Sequence, residues 1–142
     1  MLTFESITLK QRHRLIAIGI GCRRGCPAKT ISDLVERALK TASCACEGAR
    51  LFTHTAKLEE RGILEAANAL GLPLEFLTED VLHEAAGRAA TRSHAVLARF
   101  GLPSLAETAA LAGAGPASTL LLARVSAGGA SCAIATPFDG GA

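Results

Sequence analysis

Short apolar runs alternate with longer segments of helical periodicity through the first half of the chain. The run RLIAIGI at residues 14–20 is apolar almost throughout, which is typical of a strand buried on both faces of a sheet. Apolar residues then recur three and four apart over residues 28–43, just after Pro27, whose fixed φ suits a first helical turn. The pattern predicts a buried strand followed by an amphipathic helix.

The same alternation continues along the chain. Residues 50–53 and 74–77 are two further candidate strands, and the apolar residues from Leu58 to Leu70 mark a helix between them. Gly71 is suited to end that helix in a left-handed conformation. Three strands joined by helical crossovers favour parallel pairing.

The second half begins with three consecutive helices. Two are predicted at residues 79–87 and 93–100, and the second of them ends at Gly101. Ser104 lies three residues before Glu107, which is the spacing of a capping box and predicts the start of another helix over Leu105, Ala109, Ala110 and Leu111.

The chain closes with a β-type pattern. Residues 118–124 and 131–136 are separated by VSAGGA, whose glycines allow a tight reversal, so we predict an antiparallel hairpin. The element order βαβαβαααββ predicts one α/β domain over residues 1–142, with three α/β/α layers and a mixed sheet of about five strands. Its core is expected at 14–136, and residues 1–12 and 137–142 are expected to be tails.

Composition narrows the class of protein. With 49% hydrophobic and 20% charged residues over 142 positions, the chain can form a core without a disulfide or a metal. A net charge of +2, only 4% aromatic residues and no Trp or Tyr argue against nucleic acid as a partner. The longest apolar run, residues 15–20, is far shorter than the roughly 20 residues that cross a bilayer, and no signal peptide opens the chain. We expect a cytoplasmic protein with no membrane contact.

The five cysteines do not have the pattern of a secreted disulfide framework, because they are odd in number, so reduced thiols are expected. Their C-x-x-x-C and C-x-C spacings lack the further pair that a zinc site needs. An iron–sulfur site would need a third cysteine near position 29, where the chain has Lys29. We expect no metal and no cofactor.

The segment GIGCRRG at residues 19–25 is the first candidate site, because it links a strand to a helix N-terminus, where anions are favoured. A Walker loop and a dinucleotide fingerprint both fail here, since Arg23, Arg24 and Ala28 occupy positions that require glycine. What remains is a turn with two adjacent guanidinium groups, which suit carboxylates or phosphates. The alternative is a tight turn with two solvated arginines.

Other side chains could add chemistry to this turn. Cys22, at a helix N-terminus beside two arginines, is a candidate nucleophile, but no spacing pairs it with any of the four histidines: His13, His54, His83 and His94. Lys57 and Glu60 follow the second strand and could face the same sheet edge, or simply form a solvated helix start. Ser93 and Ser104 fit N-caps better than nucleophiles.

These segments together resemble a known family. GIGCRRG after the first strand, KLEE followed by ALGLPL, and FGLPSLAETAALA before the terminal hairpin look like the CobE family of cobalamin biosynthesis. That family is similar to the C-terminal domain of CbiG, the cobalt-precorrin hydrolase that opens a ring lactone. The resemblance covers about residues 14–135. It implies an α/β domain used in building the corrin ring.

The resemblance maps the ligand-binding turn onto five residues: Gly21, Cys22, Arg23, Arg24 and Gly25. Lys57 matches a family lysine after the second strand, and Ser93 matches a family serine, although here His94 follows it instead of an acidic residue.

Two hypotheses follow from the resemblance together with the charge of the turn. The first is a non-catalytic accessory protein that binds a precorrin or corrin acid and could pass it between the methyltransferases of the pathway. The second is a hydrolase acting on a ring lactone, with Cys22 or a turn-bound water as the reactive group. An adaptor that contacts only proteins is a third alternative. A homodimer is compatible with each of them.

Overall fold

The computed structural model describes residues 15–92, 94–102 and 104–137, with the side chains of residues 94, 95 and 98 excepted. The predicted tails, apart from Pro137, and Ser93 therefore lie outside the described residues. The strands are β1 (Ile16–Cys22), β2 (Ala49–His54), β3 (Leu74–Leu77), β4 (Thr119–Ala127) and β5 (Ala130–Thr136). The α-helices are α1 (Ala28–Thr41), α2 (Arg61–Leu70), α3 (Glu79–Ala85), α4 (His94–Phe100) and α5 (Leu105–Ala114).

The five strands form one mixed sheet in the order β3-β2-β1-β5-β4. Strands β1, β2 and β3 pair in parallel, whereas β5 is antiparallel to both β1 and β4. Helices cover both faces, so the predicted three-layer α/β/α fold with a C-terminal hairpin is confirmed. Within the described residues, no helix is long and apolar enough to span a bilayer, and the longest, α1, has 14 residues.

One face of the sheet, here called the aliphatic face, is covered by α1 and α2. Strand β1 contributes Ile16, Ile18 and Ile20 to it, and these pack with Leu34 and Val35 of α1. The apolar stripe of α1 is what the three-and-four spacing predicted. Large branched side chains fill this layer densely, so it is the main hydrophobic core on that side of the sheet.

The other face, here called the small-residue face, is covered by α3 and α5. Strand β1 presents Ala17 and Gly19 there, and a Cβ at Gly19 would collide with the backbone of Ala106 and Ala110 in α5. Helix α5 is buried nearly all round and rich in alanine, which is typical of a helix packed against a sheet at close range. The backbone of α5 thus lies directly on that of β1.

This packing corrects the predicted end of the first strand. The first strand was predicted over residues 14–20, with the glycine-containing turn following it, but β1 continues to Cys22. Gly19 is required in the strand by the close approach of α5, not by a reversal of the chain. The turn itself is shorter, and within it only Gly25 has a positive φ, of 78°.

Most other boundaries agree with the expectations to within a few residues. A short 3₁₀ helix at Thr55–Lys57 precedes α2, and another at Ala86–Arg88 replaces the predicted end of the third helix. Gly71 and Gly101 each have φ of 70°, which confirms their left-handed conformation. Residues 128 and 129 make the hairpin turn, both with positive φ, as a tight two-residue turn requires.

The predicted capping box is half formed. The hydroxyl of Ser104 accepts a hydrogen bond from the backbone N–H of Glu107 at 3.4 Å, so Ser104 is the N-cap of α5. The Glu107 carboxylate was expected to reach back to the cap residue. Instead it binds two other segments of the chain, because it points into the protein and not along the helix end.

Candidate functional site

The carboxyl end of β1 meets the tip of the C-terminal hairpin. Because β5 runs antiparallel to β1, its first residue, Ala130, pairs with Cys22 at the end of β1. The backbone N–H of Arg23 donates a hydrogen bond to the carbonyl of Gly129 at 2.8 Å, which joins the two turns directly. This is the edge of a mixed α/β sheet where ligand sites are commonly found.

A cavity of about 520 Å³ opens at this junction, between the end of β1, helix α4, the start of α5 and the hairpin. Its lining is cationic and carries no Asp or Glu among the described residues. The four positively charged side chains are Arg23, Lys57, Arg99 and Arg124. Apolar surface comes from Val96, Phe100 and Leu105, so the cavity offers charge and a hydrophobic wall together.

Lys57 is the least exposed of these cations, with 4% of its surface accessible. Its ammonium donates a hydrogen bond to the backbone carbonyl of Cys22 at 2.8 Å. In the described part of the chain, no carboxylate oxygen lies within 4.0 Å of its Nζ. A buried ammonium without a countercharge is costly, so a bound anion would stabilise it.

The predicted turn residues separate into two groups. Gly21, Cys22 and Arg23 line the cavity, whereas Arg24 and Gly25 do not. The backbone N–H of Gly25 donates to the Glu60 carboxylate at 3.0 Å, so Glu60 holds the turn in place from outside the cavity. Three backbone donors of the turn, at residues 23, 25 and 26, already have acceptors within the protein.

Arg99 and Phe100 bring helix α4 to the cavity. The Arg99 guanidinium lies over the Phe100 ring at 5.1 Å, and the His54 ring also contacts it, at a centroid distance of 4.9 Å. His54 is buried at the end of β2, where its Nδ1 accepts a hydrogen bond from the Ala56 N–H at 2.8 Å. Burial lowers the pKa of His54, although Glu79, 3.8 Å from its Nε2, acts in the opposite direction.

The backbone of Arg124 is bound by the buried carboxylate of Glu107. Its backbone N–H donates to Glu107 Oε2 at 2.8 Å, and the same carboxylate accepts the N–H groups of Ala90 and Thr91 and the Thr91 hydroxyl. Burial alone would raise the pKa of Glu107, but these four hydrogen bonds outweigh it and hold the pKa below its usual value. The carboxylate is therefore ionised at neutral pH.

The thiol of Cys22 is not activated by its surroundings. Burial raises its pKa to about 11, and the nearby charge of Lys57 offsets only part of this effect. Among the described residues, no hydrogen bond joins Cys22 to a histidine, and His13 and the His94 side chain lie outside that part of the chain. The part of the chain that the structure describes also contains no group of three His, Cys, Asp or Glu side chains able to hold a metal ion.

Two lining cations were missed by the sequence analysis, Arg99 and Arg124. Arg124 interrupts an apolar strand, TLLLARV. An arginine in such a run indicates that its side chain reaches solvent or a polar site. Arg99 lies on a short helix whose position relative to the sheet is not encoded by periodicity. Lys57, by contrast, was predicted and does line the cavity with Arg23.

Comparison with known proteins gives consistent matches over the described domain. A family model described as cobalamin synthesis G C-terminus matches residues 16–135. A relative named Protein CobE, from Sinorhizobium sp, is 37% identical over 123 residues, which cover 86% of this chain and 80% of that protein. The crystal structure of CobE, a protein from the cobalamin biosynthetic pathway, aligns with a TM-score of 0.82 at 37% identity, covering 88% of this chain and 92% of the other.

A cobalt-precorrin-5A hydrolase from Priestia megaterium is 28% identical over 130 residues. The aligned segment is 90% of this chain but only 34% of the hydrolase, so the chain spans about a third of that protein's length.

Proposed function

The chain belongs to the cobalamin synthesis G C-terminal family and is a protein of cobalamin biosynthesis, and from that premise we propose that it binds a precorrin or corrin acid in the cationic cavity. The observation that carries the proposal is the charge of the lining. Four cations and no described acidic residue line one cavity, to which Val96, Phe100 and Leu105 add apolar surface. The bound intermediate is held and delivered, and not chemically changed, by this protein.

The chemistry of the ligand matches that of the cavity. Corrin-ring intermediates carry acetate and propionate carboxylates around a large apolar macrocycle. Arginines are suited to paired hydrogen bonds with such carboxylates, and Phe100 and Leu105 offer apolar surface to the ring. The volume of about 520 Å³ suits one edge of a macrocycle, so the rest of the ligand stays accessible to the next protein in the pathway.

Lys57 provides the strongest local support for an anion. Its ammonium is buried, has one hydrogen-bond acceptor among the described residues and lines the cavity. A carboxylate of the ligand would supply a countercharge beside an ammonium that is only 4% exposed. Charge-assisted hydrogen bonds of this kind contribute about 1.5–3 kcal/mol each.

A non-catalytic role is favoured over the hydrolase alternative by the state of Cys22. A thiol with a pKa of about 11 is protonated at neutral pH, and a nucleophile would need a neighbouring base. The name of the related hydrolase applies to a protein of which this chain matches 34%. Hydrolysis of a ring lactone is therefore the alternative outcome of the test.

The test compares two corrins that differ in charge. Purified protein is mixed with cobyrinic acid, whose side chains end in free carboxylates, or with cobinamide, in which these groups are amides, and visible absorption is followed after gel filtration. Cobyrinic acid is expected to co-elute with the protein and cobinamide is not. Equal retention of both corrins, or retention of neither, contradicts the proposed recognition. If no tetrapyrrole co-elutes with the protein, the result favours an adaptor that contacts only proteins.

Variants then locate the site. Arg23→Ala and Arg99→Ala are each expected to weaken cobyrinic acid binding by roughly ten-fold to a hundred-fold, since each removes a charge-assisted contact. Arg24→Ala should have a much smaller effect, because Arg24 does not line the cavity. Arg50→Ala, an exposed arginine at the amino end of β2, is the matched control.

The same protein preparations distinguish binding alone from hydrolysis of the ligand. Incubation with a precorrin that contains a ring lactone should leave its mass unchanged if the protein only binds it. Addition of one water to the ligand, faster than in the absence of protein, would favour the hydrolase.

A further inference from the structure

The buried carboxylate of Glu107 accepts a hydrogen bond from strand β4. Glu107 is 0% exposed, and within the described residues no Lys or Arg nitrogen lies within 4.0 Å of its carboxylate. The four hydrogen bonds that its carboxylate accepts come from three backbone N–H groups and one hydroxyl. A desolvated carboxylate satisfied in this way fixes the position of the segments that donate to it.

The first of those segments is an irregularity in the terminal hairpin. Leu122 pairs with Ile134 and Val125 pairs with Cys132, so two residues of β4 face a single residue of β5. Arg124 is one of the two and has no partner in the register, while its N–H donates to Glu107 at 2.8 Å. Bulges of this kind redirect a side chain, and here the redirected side chain lines the cavity.

The second segment leads into helix α4. Glu107 Oε1 accepts the N–H groups of Ala90 and Thr91 at 2.8 and 2.7 Å, and Oε2 accepts the Thr91 hydroxyl at 2.7 Å. Helix α4 begins three residues after Thr91 and carries Arg99 and Phe100 to the cavity. One side chain therefore holds the strand that bears Arg124 and the start of the segment that bears Arg99.

We propose that Glu107 is a positioning residue that sets the spacing of Arg99 and Arg124 for a ligand carrying several carboxylates, an inference that rests on the proposed function. Two arginines on separate elements can grip two carboxylates of one rigid ring only if their separation is fixed before binding. Glu107 contributes no charge to the cavity surface and acts entirely through the two segments it binds.

The test is a pair of double-mutant cycles. Glu107→Gln keeps the size of the side chain but replaces one acceptor oxygen with a donor, and it should weaken cobyrinic acid binding about ten-fold. In an Arg124→Ala background the same substitution should weaken binding only about three-fold, because Glu107 can then act only through the position of Arg99. In an Arg23→Ala background the loss should remain about ten-fold, because Arg23 is positioned by other contacts. An equal loss in all backgrounds overturns the proposal.

A second readout does not depend on the ligand. Hydrogen exchange of the Arg124 and Thr91 amides should accelerate at least about ten-fold in Glu107→Gln, whereas the amide of Ile18 on the aliphatic face keeps its protection. Unchanged exchange at Arg124 and Thr91 overturns the inference even if the ligand binds. If wild-type protein fails to bind cobyrinic acid while exchange changes locally, the proposed function fails and the positioning of the two segments stands.

Thr91→Val provides the milder variant in case Glu107→Gln does not fold. It removes only the hydroxyl hydrogen bond at 2.7 Å and keeps the side-chain volume. Affinity for cobyrinic acid should fall about three-fold, with faster exchange confined to residues 90–92 and 124. Wild-type affinity and exchange in Thr91→Val would also overturn the inference.

Discussion

The two faces of the sheet are built from the same strands in opposite ways. On the aliphatic face β1 buries Ile18 and Ile20 against large aliphatic side chains. On the small-residue face its Ala17 and Gly19 pack against α5. The aliphatic face gains its stability from apolar area, roughly 25 cal/mol per Å² buried. The small-residue face gains it from close backbone packing.

This difference explains where the candidate site lies. Close packing of α5 leaves no room for a side chain at Gly19 of β1, and the cavity lies further along, between the end of β1, the start of α5 and helix α4. The buried carboxylate Glu107 is also on this side, where it fixes the elements that line the cavity. Substitutions on the aliphatic face are therefore expected to change stability, and substitutions around the cavity to change affinity.

The largest expected effect comes from adding volume on the small-residue face. Gly19→Val should prevent recovery of folded protein, because its Cβ would collide with the backbone of Ala106 and Ala110, which cannot move aside as a side chain could. Circular dichroism and gel filtration of the purified variant measure this. Gly87→Ala is the matched control, since nothing lies within 4 Å of a Cβ at Gly87. A folded Gly19→Val with wild-type thermal stability would contradict the close packing of α5.

The next effect comes from removing volume on the aliphatic face. Ile18→Ala should lower the free energy of unfolding by about 2–5 kcal/mol, because it deletes part of a fully buried side chain and leaves a cavity. Urea denaturation measures the loss, and the surviving folded protein should bind cobyrinic acid with unchanged affinity. Leu58→Ala, at a leucine that is 54% exposed, is the control and should cost no more than about 0.5 kcal/mol. A large affinity change in Ile18→Ala would show that the faces are not independent.

Much of this two-faced architecture could be predicted from the sequence. The apolar run before Pro27 and the three-and-four spacing after it gave the first βα unit, and the glycines at 128 and 129 gave the hairpin turn. Periodicity reports whether an element has one buried face. It does not report how close a neighbour approaches, which is why the contact of Gly19 with α5 was not predicted.

The candidate site was only partly predictable for the same reason. Arg23 and Lys57 follow the first two parallel strands, whose carboxyl ends must share an edge, so their proximity followed from the fold class. Arg124 reaches the cavity because β5 lies beside β1 and brings β4 with it, and Arg99 reaches it through the placement of α4. Both placements depend on long-range packing. The role of Glu107 was misassigned because a capping-box spacing does not reveal what else the carboxylate can reach.

A smaller effect should appear when the pH is lowered. Burial holds the pKa of His54 below its usual value of about 6.5, so between the two values the unfolded chain binds more protons than the folded one. The stabilising contribution is complete above about pH 6.5 and is lost as the pH falls through the native pKa. Urea titrations from pH 7.5 to pH 5 should therefore show decreasing stability, above the range in which Glu107 titrates.

Two variants attribute that pH dependence. His54→Asn keeps an acceptor near the Ala56 N–H but cannot titrate, so its stability should vary less over the same range. His83→Asn is the comparison, because it changes a histidine on α3 whose Nε2 lies 3.9 Å from the same Glu79 carboxylate and whose side chain is 44% exposed. If His83→Asn flattens the profile and His54→Asn does not, the acid sensitivity does not originate at the end of β2.

The smallest expected effect concerns Cys22, the last residue of β1. Its side chain packs against the aliphatic core while its residue borders the cavity, and burial raises its pKa to about 11. At pH 8, iodoacetamide should therefore modify the exposed Cys46 first and Cys22 much more slowly, with the Cys22 rate rising steeply towards pH 11. Peptide mass spectrometry over a time course measures both rates. Cys22→Ser should bind cobyrinic acid as the wild type does, because recognition depends on the cations and not on the thiol. Rapid labelling of Cys22 at neutral pH would instead reveal an activated thiolate and favour the hydrolase alternative.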